Sequence, residues 1–423
     1  MSNHGYSPLT TETIAERLGN VDILQEKLGS DGSQWTSREV GDGNLNLVFI
    51  VDGPNGSVIV KQALPYVRLV GDSWPLPLSR SFFEYHALTR QAARDPGRVP
   101  EVYHFDEEQA LIVMEYLSPH IILRQSLIEG KKTEGLGTAL GNFCARTLFR
   151  GSDLHMETSR KKADVALFAD NVALCDITEN LVFTDPYFEA EMNRHTSPWL
   201  DDLVAELRAD TEMKLIVQEM KTAFCNRAET MLHGDLHTGS IMVTDSDTKV
   251  IDPEFALYGP MGFDMGMLTS NMLMAWFAQP GHEASPGSRT SFQDWIANAT
   301  SEIWQVFTDE FTRLWETERT GILYPSAVLE DQGHTAASRK ALEQWLNTVW
   351  QDSLKICGIE IHRRILGLAH NADFETITDE ERRATLEAQA LRFGRELILN
   401  GNDRCATVAD IFDVAGSFVL EDA

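Results

Sequence analysis

The sequence is poor in the features that mark secreted, metal-rich or membrane proteins. Its five cysteines are scattered and odd in number, with no CxxC pair and no spacing typical of metal ligands. No cationic segment followed by an apolar one opens the chain, so no signal peptide is predicted. The longest uncharged apolar run, 265–278, is too short to cross a bilayer and predicts a buried core helix. We therefore expect a reduced, cytoplasmic protein with no membrane partner.

Positive charge is also scarce. Lys and Arg number 36 against 64 Asp and Glu, which gives a formal net charge of -28. So acidic a surface argues against binding nucleic acid through general electrostatics. It also repels nucleotides at long range, so any nucleotide site needs a local cation cluster and a metal ion. With 423 residues, of which 43% are hydrophobic, the chain can form a large core in two lobes.

The hydrophobic pattern changes once along the chain. Up to about residue 117, alternating strands dominate, with a hairpin turn at 52–56. Beyond 118 the spacing is mostly helical. We expect a β-rich lobe, 1–117, joined through a linker to a mainly helical lobe, 118–423. Helices are predicted at 10–28 and 79–93, strands at 99–105, 110–117 and around 241–252, and loops at 129–137, 178–198 and 279–290.

The most informative stretch is Met-Leu-His-Gly-Asp-Leu-His-Thr-Gly-Ser-Ile-Met-Val, which ends at Val243 and contains Asp235 on a turn. Asp252 and Glu254 follow at the end of a short strand, separated by Pro253. An isolated loop aspartate is ordinarily an Asx-turn residue. At this spacing, however, Asp235 can orient and deprotonate an acceptor hydroxyl, while Asp252 and Glu254 hold Mg²⁺ beside nucleotide phosphates. The residues alone thus predict an ATP-dependent small-molecule phosphotransferase.

Candidate phosphate contacts precede this stretch. Gly41 and Gly43 let the backbone approach phosphates closely, although a lone GxG is a weak signal. Asn44 offers a side-chain amide. A strand lysine such as Lys61 is usually solvent-facing, but the upstream glycines favour a nucleotide contact. Glu84 is either an ordinary surface helix residue or the partner of Lys61.

The order of these parts resembles that of the protein-kinase-like phosphotransferases. His-Gly-Asp-Leu-His, which begins at His233, is similar to the catalytic loop of aminoglycoside and choline kinases. A resemblance to the 5-methylthioribose kinases extends from about 41 to 374 with agreement in order and spacing. The strings that carry it are 181–187, 232–243, 252–264 and 363–370.

This resemblance implies an α+β, two-lobed protein-kinase-like fold, with a small antiparallel sheet in the N-terminal lobe. It implies transfer of the γ-phosphoryl group of MgATP to the 1-hydroxyl of 5-methylthioribose in methionine salvage, by a homodimer. Asp235 would be the catalytic base, and the twin arginines Arg363 and Arg364, at the start of a helical stretch, would grip the substrate. The residues assigned to ATP are Gly41, Gly43, Asn44, Lys61, Glu115, Tyr116, Leu117, Asp252, Pro253 and Glu254.

Other positions receive structural roles. Ser240 stands where many kinases have an asparagine that binds a second metal ion, so Glu254 is the expected substitute ligand. His233 is predicted to brace the catalytic loop by hydrogen bonds, and Asp264 to accept backbone hydrogens from it. Tryptophans at helical positions are predicted to lie in the core: Trp276, Trp304, Trp315, Trp345 and Trp350.

Two alternatives remain open at this point. One is a different small-molecule kinase, acting on an aminoglycoside, choline or homoserine. Cationic acceptors suit an acidic cleft, but Arg363 and Arg364 would repel them. The other is a catalytically inactive nucleotide-binding module, against which the intact set of acidic residues argues.

Overall fold

The computed structural model describes residues 5–40, 45–67 and 71–420. Within these ranges, no helix combines the length and the apolar character that crossing a membrane requires. The longest apolar run forms a helix over Gly262–Ala278 that is buried almost throughout, which confirms the predicted core helix.

An antiparallel sheet forms the N-terminal part of the chain. The strands of the whole described chain, in order, are β1 (Thr36–Glu39), β2 (Asn46–Gly53), β3 (Gly56–Ala63), β4 (Tyr66–Val67), β5 (Gly71–Pro75), β6 (Val102–Asp106), β7 (Leu111–Glu115), β8 (Ile121–Ile122), β9 (Thr230–Met231), β10 (Ile241–Val243), β11 (Thr248–Val250) and β12 (Tyr258–Gly259). Five of them make one sheet in the order β1-β2-β3-β7-β6. Lys61 lies on the central strand β3, opposite Val48 on one side and Ile112 on the other. The predicted hairpin is thus confirmed.

Helices make up most of the rest of the chain. They are α1 (Ile14–Leu18), α2 (Asp22–Leu28), α3 (Arg80–Arg94), α4 (Leu123–Glu129), α5 (Leu136–Arg150), α6 (Thr158–Phe168), α7 (Val172–Leu181), α8 (Asp201–Ala209), α9 (Thr211–Asn226), α10 (Gly262–Ala278), α11 (Thr290–Thr317), α12 (Thr335–Leu366), α13 (Ala372–Glu375), α14 (Glu380–Arg404) and α15 (Val408–Leu420). The large core includes Trp304 and Trp315, while Trp276, Trp345 and Trp350 are partly buried against it. The sheet and the helical region together confirm the predicted α+β class.

The single helix predicted over 10–28 is wrong. The structure has α1 and α2, separated at Gly19-Asn20. Both residues are poor helix formers, and the Gly19 carbonyl accepts a hydrogen bond from Gln25 Nε2 at 2.6 Å instead of continuing the helix. The break lets both short helices bury their leucines against the sheet.

Two other element predictions need correction. The loop predicted at 178–198 begins inside α7, because Thr178 and Leu181 are buried there and hold the chain in a helix. Arg363 and Arg364 do not begin a helix; they lie in the last turn of α12. Positive side chains are favourable at that end of a helix because of its dipole.

Helix α3 packs against both parts of the molecule. Its Leu88 belongs to the large core, together with Ile112 and Met114 of strand β7. Beyond its last turn, Asp95 accepts a hydrogen bond from Arg146 of α5 at 2.8 Å. The element that carries Glu84 is therefore fixed to the helical region.

A buried acid on α14 makes stability depend on pH. Burial raises the pKa of Glu387 to about 7, and one of its carboxylate oxygens is buried without a hydrogen-bond partner. Its contribution to stability is therefore full below about pH 4.5 and is lost as the pH rises towards 7. We expect Glu387→Gln to increase the free energy of unfolding at pH 8 by up to about 3 kcal/mol and to change it little at pH 4.

Urea unfolding at the two pH values measures this difference. Glu381→Gln, an exposed site on the same helix, is the matched control and should change stability by less than about 0.5 kcal/mol. An equal effect of Glu387→Gln at both pH values would contradict the prediction.

Candidate active site

The turn after β9 is fixed by two backbone N–H groups that donate hydrogen bonds to one carboxylate. Asp264, in the first turn of α10, accepts from His233 N at 2.7 Å and from Gly234 N at 3.1 Å. Gly234 has φ of 84°, and a Cβ there would clash with the Phe255 carbonyl, so only glycine fits. The bracing roles predicted for His233 and Asp264 are confirmed, and they present Asp235 at the tip of the turn.

Asp235 faces three potential donors. Its carboxylate lies 3.2 Å from His237 Nε2, 3.4 Å from Arg364 Nη2 and 4.0 Å from Arg363 Nη1. Burial opposes its ionisation, but His237, Arg364 and Arg363 outweigh burial and hold the pKa of Asp235 well below its usual range. Asp235 is therefore a carboxylate at neutral pH.

His237 is neutral under the same conditions, because burial lowers its pKa to about 4 in spite of the attraction of Asp235. Its Nδ1 accepts a hydrogen bond from Gly239 N at 2.9 Å. The ring proton is thereby assigned to Nε2, which can donate to Asp235. His237 thus orients the carboxylate without adding charge.

The twin arginines share a buried counter-ion. Glu360, fully buried one turn earlier on α12, lies 3.1 Å from Arg363 Nη1 and 2.6 Å from Arg364 Nε. Both arginines are themselves buried. Glu360 fixes the two guanidinium groups so that they point at Asp235. The structure therefore brings Asp235, Arg363 and Arg364 together, in keeping with what the family resemblance implied.

The second acidic motif forms a cluster of oxygen ligands. Carboxylate oxygens of Glu84, Asp252 and Glu254 all lie within 4.8 Å of one another. Asp252 has φ of 66°, a left-handed conformation that aspartate tolerates better than most residues. Pro253 follows it and is buried. Such a set of hard oxygen atoms suits a divalent cation such as Mg²⁺.

Lys61 joins this cluster to the sheet. Its Nζ lies 2.8 Å from Glu84 Oε1 and also contacts Asp252. Burial disfavours the ammonium form, but Asp252, Glu84 and Glu254 outweigh it and raise the pKa of Lys61. Glu84 is thus the partner of Lys61, one of the two alternatives that the sequence left open.

The two acidic segments are tied together through the main chain. His233 Nε2 lies 2.9 Å from the Ile251 carbonyl, and Ile251 N donates to the Ser240 carbonyl at 3.0 Å. Ser240 Oγ in turn donates to the Asp235 carbonyl at 3.0 Å. The position of Asp235 relative to Asp252 is therefore set by hydrogen bonds on both sides of the turn.

Arg80 was not predicted from the sequence. It is buried on α3, donates to Glu254 at 3.0 Å and to Asn46 Oδ1 at 2.6 Å, and contacts the carbonyls of Leu45 and Leu64. These partners are distant in sequence, so no local spacing could have revealed it. Arg80 holds Glu254 beside the start of strand β2.

A second unpredicted group lies near the twin arginines. Arg124 on α4 donates to Asn271 Oδ1 at 2.8 Å and pairs with Asp373 at 3.0 Å. Burial raises the pKa of Asp373 to about 6, against the attraction of Arg124 and Arg364. Glu360 was also missed, although its helical spacing to Arg363 would have revealed it if α12 had been predicted to begin earlier.

For some of the predicted nucleotide contacts, the structure gives either no description or only the position in the chain. Gly41, Gly43 and Asn44 lie outside the described residues. The linker, 115–117, begins at the last residue of strand β7, whose neighbour β3 carries Lys61, and Leu117 in the linker is buried.

This arrangement is suited to phosphoryl transfer. It combines an oriented carboxylate, a cluster of oxygen ligands for a cation, and buried positive charges on either side. These are the parts that position an acceptor hydroxyl and stabilise the charge of a transferring phosphoryl group.

Comparison with known proteins agrees with the geometry. A sequence model of the phosphotransferase enzyme family matches residues 36–295. Methylthioribose kinase of Escherichia coli is 46% identical and covers 94% of this chain and 94% of its own length. Methylthioribose kinase 1 of rice, Oryza sativa, is 41% identical and covers 98% of this chain and 96% of its own. Among solved structures, a glucosamine kinase has a TM-score of 0.47 at 12% identity and covers 91% of this chain and 85% of that one. The chain is therefore a member of the phosphotransferase enzyme family and, within it, belongs with the methylthioribose kinases.

Proposed function

We propose that this protein transfers the γ-phosphoryl group of ATP to the 1-hydroxyl of 5-methylthioribose, which yields ADP and the sugar 1-phosphate for methionine salvage. The observation that carries the proposal is the convergence of Arg363 and Arg364 on Asp235. A carboxylate between two guanidinium groups can accept a hydroxyl proton while its neighbours bind the acceptor's oxygens and the phosphoryl group. The identity of the acceptor follows from the family to which the chain belongs.

Asp235 both orients the acceptor hydroxyl and accepts its proton in this scheme. With a pKa well below its usual range, it is a weak base and accepts the proton late, after bonding to the leaving oxygen has largely broken. Arg364 and Arg363 stabilise the negative charge on the transferring group. Lys61 contacts the nucleotide phosphates, and 115–117 contributes main-chain groups to adenine.

The carboxylate cluster supports a divalent metal, and we propose Mg²⁺ held by Asp252 and Glu254. Their carboxylate oxygens lie within 4.8 Å of one another, close enough to share one ion, and Arg80 already orients Glu254. When bound, Mg²⁺ would neutralise the charge of the nucleotide phosphates. The side chains of Lys61 and Arg80 must then yield part of their contacts to the cation.

Kinases of cationic acceptors are the competing proposal. Aminoglycosides and choline carry positive charge, which Arg363 and Arg364 oppose at the acceptor side of Asp235. A neutral sugar meets no such repulsion. The same charge argument separates 5-methylthioribose from these acceptors.

An acceptor assay tests the proposal. The purified protein is incubated with MgATP and either 5-methylthioribose, choline, kanamycin or homoserine, and phosphorus NMR locates the new ester. We expect one new phosphate-ester signal, that of the 1-phosphate of 5-methylthioribose, together with the signals of ADP. Transfer to another acceptor at a higher kcat/KM would overturn the substrate, and binding of ATP without transfer to any acceptor would favour an inactive module.

Three further proposals concern the setting of the enzyme. A lobe boundary after Leu117 is supported by the end of strand β7 at Glu115. A cytoplasmic location is supported by the free state of all five cysteines.

A homodimer is supported by exposed apolar side chains on one short segment, including Phe188 and Trp199, and light scattering would measure the mass in solution.

A further inference from the structure

A second cationic pocket lies at the far end of α3, where it meets the end of α5 and the start of α6. Its volume is about 580 Å³, within the range of small-molecule sites. None of the residues that line it belongs to the proposed active site. Four arginines and two acids are among them: Arg90, Arg94, Arg150, Arg160, Glu157 and Asp164.

Arg94 is the most deeply buried of the four arginines. Its side chain is 8% exposed, and the nearest carboxylate, Asp164, is 4.0 Å away. Asp164 is already bound through both oxygens by Arg90, at 2.7 and 2.8 Å. The other hydrogen-bond partners of the Arg94 guanidinium are uncharged: two methionine sulfurs, at 3.6 and 3.7 Å. Among the described residues, no carboxylate is within hydrogen-bonding distance of this buried cation.

Of the remaining arginines, one is paired and one is open. Arg150 binds both oxygens of Glu318, at 2.8 and 2.9 Å. Arg160 is exposed at the rim, in the first turn of α6. Glu157 immediately precedes α6 and accepts a hydrogen bond from Ser159 N at 3.2 Å. Arg94 and Arg160 are therefore the charges best placed to bind a ligand.

We propose that this pocket binds the phosphate group of a small molecule, either inorganic phosphate or a phosphate monoester, between Arg94 and Arg160. The one carboxylate near Arg94 is 4.0 Å away and is already bound by Arg90, so a phosphate would supply acceptor oxygens at hydrogen-bonding distance. In a chain of charge -28, only a local concentration of arginine can attract such an anion.

Isothermal titration of the full chain tests the site without reference to turnover. Inorganic phosphate and glycerol 3-phosphate are the probes, with ATP present at saturation so that the nucleotide site is filled. We expect Arg94→Met and Arg160→Gln each to weaken binding about tenfold or more. Lys162→Gln removes the same charge from an exposed position on α6 outside the pocket and is expected to leave the affinity within about twofold.

The two probes distinguish the source of the phosphate. Equal affinities would identify inorganic phosphate as the ligand, and tighter binding of glycerol 3-phosphate would identify a monoester. Binding that survives both pocket substitutions but disappears in Arg364→Gln would place the anion in the active site and overturn the proposal. So would the absence of binding at about 10 mM of either probe. If Arg94→Met does not fold by circular dichroism, the exposed Arg160→Gln decides.

Discussion

Replacing Asp235 with asparagine is expected to lower kcat by about 10²- to 10⁴-fold, the usual contribution of a group that accepts a proton in the transition state. Asparagine keeps the size of the side chain but cannot take the hydroxyl proton. The KM for ATP should change little, because Lys61 and the carboxylate cluster are left intact. Steady-state kinetics with 5-methylthioribose measure both constants.

The control for this substitution is Asp245→Asn. Asp245 is exposed in the turn between β10 and β11, only a few residues further along the chain. We expect wild-type kinetics from it. If Asp235→Asn were to retain more than about a tenth of the wild-type kcat while folding normally, Asp235 would not be the catalytic residue.

Glu360→Gln is expected to have the largest effect on stability. The substitution leaves Arg363 and Arg364 buried with no full counter-charge on their own helix. Breaking a buried charge pair by removing one partner destabilises by about 3–5 kcal/mol. We therefore expect a large fall in the free energy of unfolding, together with a higher KM for the acceptor, because the two guanidinium groups lose the contact that aims them at Asp235.

Urea unfolding and acceptor KM are measured on Glu360→Gln and on Glu343→Gln. Glu343 is exposed on the same helix, so its replacement is expected to change stability by less than about 0.5 kcal/mol. An unchanged acceptor KM in a destabilised Glu360→Gln protein would show that Glu360 supports the fold alone. Equal stability of the two variants would contradict the buried-pair argument.

Local chemistry explains which parts of the site were predictable. The hairpin around 52–56 and the turn at Asp235 can be predicted from neighbouring residues, because turn-forming residues separate apolar runs there. The order of elements made the pairing of Lys61 with Glu84 one of two alternatives, and only the structure decides between them. The family resemblance, rather than periodicity, brought Arg363 and Arg364 to Asp235.

The missed residues depend on tertiary contacts or on helix boundaries. Arg80 meets Glu254 across 174 positions, and no pattern near either residue encodes that distance. Glu360 could have been predicted from the sequence. The prediction started a helix at Arg363, which concealed that Glu360 lies one helical turn before the two arginines. Helix ends are set by burial as well as by propensity. The opposite error occurs at Gly19, where the prediction continues a helix that the structure interrupts.

Lys61 and Arg80 already pair with the carboxylate cluster before any ion binds. Three acids face two cations there, and burial raises the pKa of Glu84 to about 7, so at most one net negative charge remains to attract an incoming ion. Free magnesium would have to compete with ammonium and guanidinium groups that are already seated, with little electrostatic gain. Arrival together with a polyphosphate removes that competition, since the phosphate oxygens offer both side chains new acceptors. Affinity for the metal is thus expected to belong to the nucleotide complex and to be weak in the empty enzyme.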